Sequence, residues 1–324
     1  MLVLKAIPQG GNMSVIYITK QDVKITKQSR RLVVCAKDRI VLEIPDFKIE
    51  RLVIFGNAHI TTPALNFLLD RGIEVSFLTV RGRLRGRLIG KSSKNIFLRL
   101  EQFRRFEDEE YRIETVRNII RGKIKSMISS TAENNRLKRR LTGIIPLIDR
   151  KEDVPSLRGL EGFATAIYFS CLAKFIPGKY NFITRNHRPA TDPANACLSL
   201  GYTLLGNEIA SMIEAHGLDP HLGFYHLPAY GRPSLALDIL EEFRHSLIDR
   251  FVIYLLGNGW LKQDMFTLTQ KGVRLSESAL SVYLANYEKK VRPFRGIIQN
   301  QVEAVVRCIK NREVYRPHVL SREL

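Results

Sequence analysis

The spacing of apolar residues changes once along the chain, and that change limits the folds open to it. Between residues 14 and 90 they fall in short β-branched or aromatic runs: Val15-Ile16-Tyr17-Ile18, Leu32-Val33-Val34-Cys35, Ile40-Val41-Leu42-Glu43-Ile44, Leu52-Val53-Ile54-Phe55 and Val75-Ser76-Phe77-Leu78. Each is bounded by Lys, Asp, Gly or Pro, as strands are. One helix is predicted among them. Thr61 or Thr62 caps it, Pro63 suits its first turn, Ala64–Leu69 form its body and Gly72 stops it. From about residue 95 the pattern turns helical, over Glu101–Lys125, the Arg136–Arg140 cluster, Ala194–His216 ended by Gly217, Ser234–Leu256 ended by Gly257, and Glu288–Asn311. The expected fold is α+β and multidomain. A small β-rich N-terminal domain over residues 1–92 precedes a larger all-α domain over residues 93–324.

Charge narrows the function. Lys and Arg number 51 against 32 Asp and Glu, a formal surplus of +19, while 45% of the residues are hydrophobic. That apolar content is too high for a disordered chain, and the basic surplus points to nucleic acid or an anionic surface. The longest apolar run, Phe251–Leu256, is far short of the roughly 20 residues of a membrane span. No secretory signal is expected in Met1–Pro8. Cys35, Cys171, Cys197 and Cys308 stand far apart without a C-x-x-C pair, against a disulfide framework or zinc site, so a reduced cytoplasm is expected. Residues 1–12 read as an extension ahead of Met13. Arg81, Arg83, Arg85, Arg87, Lys91, Lys94 and Arg99 form a stretch without acids, read as a basic edge hairpin leading into a linker. It either resists strand pairing or contacts phosphates. Gly86-x-x-x-Gly90-Lys91-Ser92 is one residue short of a P-loop and is rejected as one.

Three acidic or imidazole groups are out of place. Glu161 opens Glu161-Gly-Phe-Ala-Thr-Ala-Ile-Tyr-Phe-Ser-Cys-Leu, a helix apolar or small nearly all round, and no other acid lies between Asp153 and Asp192. A carboxylate there must be neutralised, paired or metal-bound, unless it is a first-turn Glu at a solvated end. At about 100° per residue, Asp238, Glu241, Glu242, His245 and Asp249 share one polar stripe. Glu241 lies at its margin beside Leu237 and Ile248 and should be semi-buried, whereas Glu242 should point outward. Asp238, its i−3 neighbour, would repel it without a cation between them. Ahead of that helix, the turn-rich Gly217-Leu-Asp-Pro-His-Leu-Gly-Phe-Tyr-His226 delivers a histidine that is a bystander or a ligand. Taken together, Glu161, His226 and Glu241 leave half of an octahedral shell open, which suits Mg²⁺ or Mn²⁺ better than Zn²⁺. In so basic a protein, such a site implies phosphodiester chemistry.

These residues lie in three motifs. They are Leu157-Arg-Gly-Leu-Glu161-Gly-Phe-Ala-Thr-Ala-Ile-Tyr-Phe, Arg188-Pro-Ala-Thr-Asp192-Pro-Ala-Asn195-Ala-Cys-Leu-Ser199-Leu-Gly-Tyr202, and Gly217 through His226 continuing in Gly231-Arg-Pro-Ser-Leu-Ala-Leu-Asp238-Ile-Leu-Glu241-Glu-Phe-Arg244. In them the chain resembles the universal CRISPR-associated endonuclease and integrase of spacer acquisition, the larger of the two adaptation proteins. The resemblance covers nearly all of the chain after Met13. Ala190 stands where that family often has a second proline, and residues 1–12 look like an addition.

The resemblance implies metal ligation by Glu161, His226 and Glu241, with Asp238 as a further acidic residue beside the metal and a member of the catalytic set. Asn195, Ser199 and Tyr202 would support the site or merely pack. Arg188 and Arg244 would contact phosphates or form surface salt bridges. It further implies a homodimer dimerising through its N-terminal domain, a helical catalytic domain, and a complex with a dimer of the small CRISPR adaptation protein. That complex holds a short double-stranded DNA whose 3′-hydroxyl ends attack repeat phosphodiesters. The basic surplus would then serve counterion release along the duplex, with little base reading. Two other readings stay open: a repair or junction-resolving metal nuclease without integrase activity, and a non-catalytic nucleic-acid scaffold.

Overall fold

The computed structural model describes residues 14–90, 95–131, 135–186 and 189–319. Contacts divide these into two compact units. The first comprises the described residues within Met1–Ser92 together with Asp264–Leu268 and Arg274–Lys289; the second comprises those within Ser93–Gln263, Thr269–Val273 and Lys290–Leu324. No helix among the described residues is long and apolar enough to cross a membrane.

The first unit begins with strands β1 (Ser14–Ile18), β2 (Val23–Gln28), β3 (Arg31–Ala36), β4 (Arg39–Pro45), β5 (Ile49–Phe55) and β6 (Ala58–Ile60), then helix α1 (Thr62–Asp70), β7 (Glu74–Leu78) and β8 (Leu84–Leu88). They form two four-stranded sheets, ordered β1-β5-β7-β8 and β4-β3-β2-β6. In the first sheet β1, β5 and β7 run parallel and β8 is antiparallel to β7. β5 reads as a near-continuous apolar run because it is central, whereas β2 alternates buried Val23 and Ile25 with exposed Lys24. Ile16, Ile18, Ile25, Val34, Leu52, Ile54 and Val75 meet in one core. The structure places α1 where Thr61 and Pro63 predicted it, with Gly72 at φ +65° ending it. β7 and β8 make the expected hairpin at a sheet edge, with Arg85 and Arg87 on the outer strand. Lys91, Lys94 and residues 1–12 lie outside the described residues. Tyr17 Oη donates to Glu288 Oε1 at 2.6 Å, within this unit.

The second unit contains α2 (Ile96–Glu107), α3 (Glu109–Ser130), α4 (Asn135–Thr142), α5 (Ile145–Ile148), α6 (Val154–Leu172), α7 (Pro193–Ala215), α8 (Ser234–Phe243) and α9 (Arg250–Gly257). Further along the chain come β9 (Phe266–Thr269), β10 (Gly272–Leu275) and α10 (Glu277–Val291), most of β9 and α10 and the end of β10 belonging to the first unit, and then α11 (Arg295–Asn311) of the second. α3 runs through the middle, packed on α6 and α8.

Four expectations need correction. Residues 93–324 are not all-α, since β9 and β10 form a hairpin. Its strands are too short for a period-2 pattern to stand out, and Gly272, at φ +96°, brings its turn against the carbonyl of Ala190. The Glu101–Lys125 run is two helices, because Asp108 accepts from Tyr111 N and starts α3 afresh. The last stretch is likewise broken, into α10 and α11 by a turn at Arg292–Phe294. Finally, Ser234–Leu256 is interrupted by a π-helical segment, Arg244–Asp249, joining α8 to α9. A constant helical phase therefore does not carry from Asp238 to Asp249.

Candidate active site

The predicted helix around Glu161 starts a full two turns earlier than expected. Asp153 caps α6 by accepting from Ser156 N at 2.7 Å, so Glu161 sits mid-helix rather than at a solvated first turn. Its side chain is only 12% exposed. One oxygen accepts from Lys123 Nζ and from Thr165 Oγ1 at 2.7 Å, and the other from Tyr225 Oη at 2.9 Å. From α8, Glu241 Oε2 meets the same Lys123 Nζ at 2.8 Å, while Glu241 Oε1 lies 3.1 Å from Arg244 Nη1 and 3.8 Å from His226 Nε2. Two carboxylates on separate helices thus share one buried ammonium, with an imidazole nitrogen beside them.

Burial alone would raise both carboxyls. For Glu161 the Lys123 ammonium more than offsets it, although Glu241 opposes, and the group falls below its ordinary value. Glu241, fully buried, is held far lower by Arg244, then Lys123 and His226. Both are anions at neutral pH.

The histidine is delivered by a loop that a second carboxylate organises. Asp238 Oδ2 accepts from the backbone N–H groups of Phe224 (2.6 Å) and Tyr225 (3.0 Å), and Oδ1 from His226 N (2.8 Å). His226 Nδ1 lies 2.7 Å from the same Oδ1. In the neutral ring a carboxylate there holds the proton on Nδ1, and Nε2, 3.8 Å from Glu241 Oε1, is the nitrogen free to ligate. Asp238 has both oxygens committed to this loop, so its place is behind the imidazole. Gly223 makes the approach possible, since a Cβ there would lie 2.6 Å from the Ser234 backbone and 2.8 Å from Asp238 Oδ2. At the far end of the loop, buried Gln102 donates to the carbonyls of Asp219 and Leu222 and accepts from Asp219 N.

The polar stripe is not the wet side of a helix. Asp238, Glu241, Glu242, His245 and Asp249 are each at most 1% exposed. Glu241 is deeper than the expected semi-burial, and Glu242 does not point outward. Tyr315 Oη bonds to Glu242 Oε1, and His318 N donates to Oε2 at 2.8 Å, so the chain beyond α11 covers it. Burial pushes this carboxyl up to about 8 from 4.5. Between those values the folded protein keeps a proton that the unfolded chain has lost, so this group's contribution to stability falls as pH rises from about 4.5 to about 8. Glu242→Gln reproduces the protonated form, donating to Tyr315 and accepting from His318. The variant should gain on wild type as pH rises from 5 to 8, by on the order of a few kcal/mol, measured by denaturant unfolding at both pH values.

Asn195, Ser199 and Tyr202 of α7 serve a residue the sequence reading passed over. Arg185 Nη1 donates to Asn195 Oδ1 at 2.8 Å and Nη2 to Ser199 Oγ at 3.0 Å, and its guanidinium lies 5.3 Å from the Tyr202 ring centroid. Arg244 sits over the same ring at 4.5 Å, and Tyr202 Oη bonds to Asp249. Two guanidinium groups therefore share one aromatic ring, and Arg244 links it to Glu241. Arg188 lies outside the described residues. Lys123, Arg185, Tyr225 and Gln102 were all missed. Lys123 had a signal, because it interrupts the apolar face Val116, Ile119, Ile120, Ile124 and Met127 of α3.

The family model described as CRISPR associated protein Cas1 matches residues 16–289. The CRISPR-associated endonuclease Cas1 3 of Thermus thermophilus is 33% identical over 289 residues, covering 87% of this chain and 86% of its own. Two solved structures share the fold. A casposase bound to integration product superposes with a TM-score of 0.85 at 21% identity, covering 96% of each chain. A Cas6-RT-Cas1–Cas2 complex gives 0.83 at 24% identity, with all of this chain matched to 38% of that one. On the family match and the identity over most of its length, the chain belongs to the family of CRISPR-associated protein Cas1, whose relatives here are named endonucleases.

Proposed function

We propose that this chain is a metal-dependent DNA endonuclease and integrase of CRISPR spacer acquisition, with its chemistry at Glu161, His226 and Glu241. The observation that carries the reading is the sharing of one cation by two carboxylates from different helices, with Nε2 of His226 3.8 Å from one of them. Among the described residues, no three His, Cys, Asp or Glu side chains stand ready-made as a metal cage. The donor chemistry fits a divalent ion nonetheless. Glu241 Oε2 is buried and its one partner is the Lys123 ammonium at 2.8 Å, and hard carboxylate oxygens with one imidazole suit Mg²⁺ or Mn²⁺.

A bound divalent ion would polarise a phosphodiester and orient an oxygen nucleophile. The chain's own groups prepare for it. Tyr225 and Thr165 hold the Glu161 carboxylate in place. Asp238 fixes the imidazole tautomer so that Nε2 can ligate. Arg244, and Arg185 across the Tyr202 ring, supply positive charge for phosphate oxygens. Water as nucleophile gives cleavage; a DNA 3′-hydroxyl gives strand transfer.

The working form we propose is a homodimer paired through the N-terminal β-rich domain, its helical part catalytic. It binds double-stranded DNA together with a dimer of the small CRISPR adaptation protein. The casposase bound to integration product and the Cas1–Cas2 assembly among the structural neighbours support the DNA and the small partner by analogy. A donor duplex with 3′-hydroxyl ends and one with 3′-deoxy ends, each offered with Mn²⁺, the small partner and a repeat-containing target, test it. Strand transfer should vanish with the blocked donor while hydrolysis persists. Hydrolysis with both donors and transfer with neither would favour a repair nuclease, and intact DNA throughout would favour a scaffold.

A further inference from the structure

Lys123 is the charged group in the site for which neither the three motifs nor the metal chemistry has a place. It projects from α3 with 5% of its side chain exposed, and its Nζ contacts Glu161 Oε1 and Glu241 Oε2. The carboxylates lie on α6 and α8, so the ammonium ties all three helices at this point. We propose that Lys123 is a built-in counter-ion of the metal-free site: it keeps Glu161 and Glu241 together, and a divalent cation binds only by displacing it. This inference rests on the metal-binding reading above and deepens it.

Three observations support displacement rather than coexistence. First, Lys123 occupies an oxygen of each carboxylate that a divalent ion would need, and for Glu241 Oε2 it is the compensating charge of an atom otherwise without a hydrogen bond. An ion seated about 2.1 Å from those oxygens would stand against the ammonium at a separation where like charges repel strongly even in a screened interior. Second, the two carboxylates that would ligate a metal are already matched by two cations. Lys123 and Arg244 face Glu161 and Glu241, and Asp238 is occupied by the His226 loop. Adding two positive charges without removing one would leave the pocket in excess of cation.

Third, two buried polar atoms near Lys123 have no hydrogen-bond partner and could receive the ammonium. Ser126, one turn further along the same buried face of α3, has an Oγ without a hydrogen-bond partner, and His245 Nε2 is likewise buried and unpartnered. His245 is close enough for the Lys123 charge to bear on it, and its Nδ1 is taken by Asp249 at 2.8 Å. The Nε2 is then an acceptor. A compact ammonium needs less room for such a retreat than a larger, planar guanidinium, which also holds both carboxylates in a fork.

Lys123 is in these terms a positioning residue, and metal affinity is its readout. Mn²⁺ binding is measured by titration calorimetry and electron paramagnetic resonance on the full chain, for wild type, Lys123→Met, Lys123→Arg and Glu161→Gln, with melting curves at each Mn²⁺ concentration. Lys123→Met should bind Mn²⁺ about tenfold tighter or more, since no ammonium has to leave. Its metal-free form should melt lower than wild type and gain more on adding Mn²⁺. Lys123→Arg should bind about tenfold more weakly, and this variant keeps the proposal testable should Lys123→Met fail to fold. Equal Mn²⁺ affinity in wild type and both Lys123 variants, with Glu161→Gln abolishing binding, overturns the displacement idea and leaves the metal site standing. Mn²⁺ binding that Glu161→Gln does not alter overturns the metal site itself, and the role of Lys123 with it.

Discussion

Glu161→Gln is expected to lower metal-dependent cleavage and strand transfer by about 10³-fold or more while leaving the fold in place. Glutamine has the shape of glutamate and can still accept from Tyr225 or Thr165, but it offers a metal one neutral carbonyl in place of a carboxylate. Lys123 retains Glu241 at 2.8 Å, so no buried cation is stranded. Glutamine is therefore a cleaner probe than alanine here. Glu241 differs: Lys123 would keep Glu161, but Arg244, whose one carboxylate contact here is Glu241, would lose its counter-charge. Initial rates on a labelled duplex with saturating Mn²⁺, alongside circular-dichroism melting, check the expectation. A variant within about tenfold of wild type would remove Glu161 from the chemistry.

Asp238→Asn should have the larger effect on structure. Asp238 accepts three backbone N–H groups and the His226 ring, at 2.6 to 3.0 Å, from a fully buried position. Asparagine has one acceptor oxygen, and its amide N–H₂ would face donors on the other side. At least one buried backbone N–H loses its partner, at a cost of about 2–4 kcal/mol. The His226 loop should loosen, and the imidazole would lose the partner that fixes its tautomer. Hydrogen exchange at Phe224, Tyr225 and His226 should accelerate well beyond that of α7. Unchanged protection there, with unchanged unfolding free energy, would mean that Asp238 does not hold the loop.

Much of the site could be read from the sequence because charge in an apolar context is conspicuous. Glu161 is the lone acid among some forty residues between Asp153 and Asp192, and Glu241 borders Leu237 and Ile248. The structure brings both together with His226. Glu242 could not be placed the same way, since what buries it is Tyr315 and His318, more than seventy positions away. Helical phase reports a helix's own faces and says nothing about a distant segment lying across one of them. The π-helical turn at Arg244–Asp249 defeats phase outright. Lys123 was hidden by company, for Arg117, Arg121 and Lys125 flank it in α3 and make one more basic residue unremarked. In the β-rich unit, β5 was visible as a strand, whereas β2, with Lys24 and Lys27, and the three-residue β6 did not stand out.

In the proposed mechanism one cation draws Glu161, Glu241 and His226 into a common coordination sphere. Anomalous diffraction from crystals soaked in Mn²⁺ measures this directly. It should place one strong peak per chain about 2.0–2.4 Å from a carboxylate oxygen of Glu161, a carboxylate oxygen of Glu241 and Nε2 of His226, with the Lys123 ammonium withdrawn from its present contacts. A peak elsewhere, or no peak with Lys123 still bridging both carboxylates at saturating Mn²⁺, would contradict it.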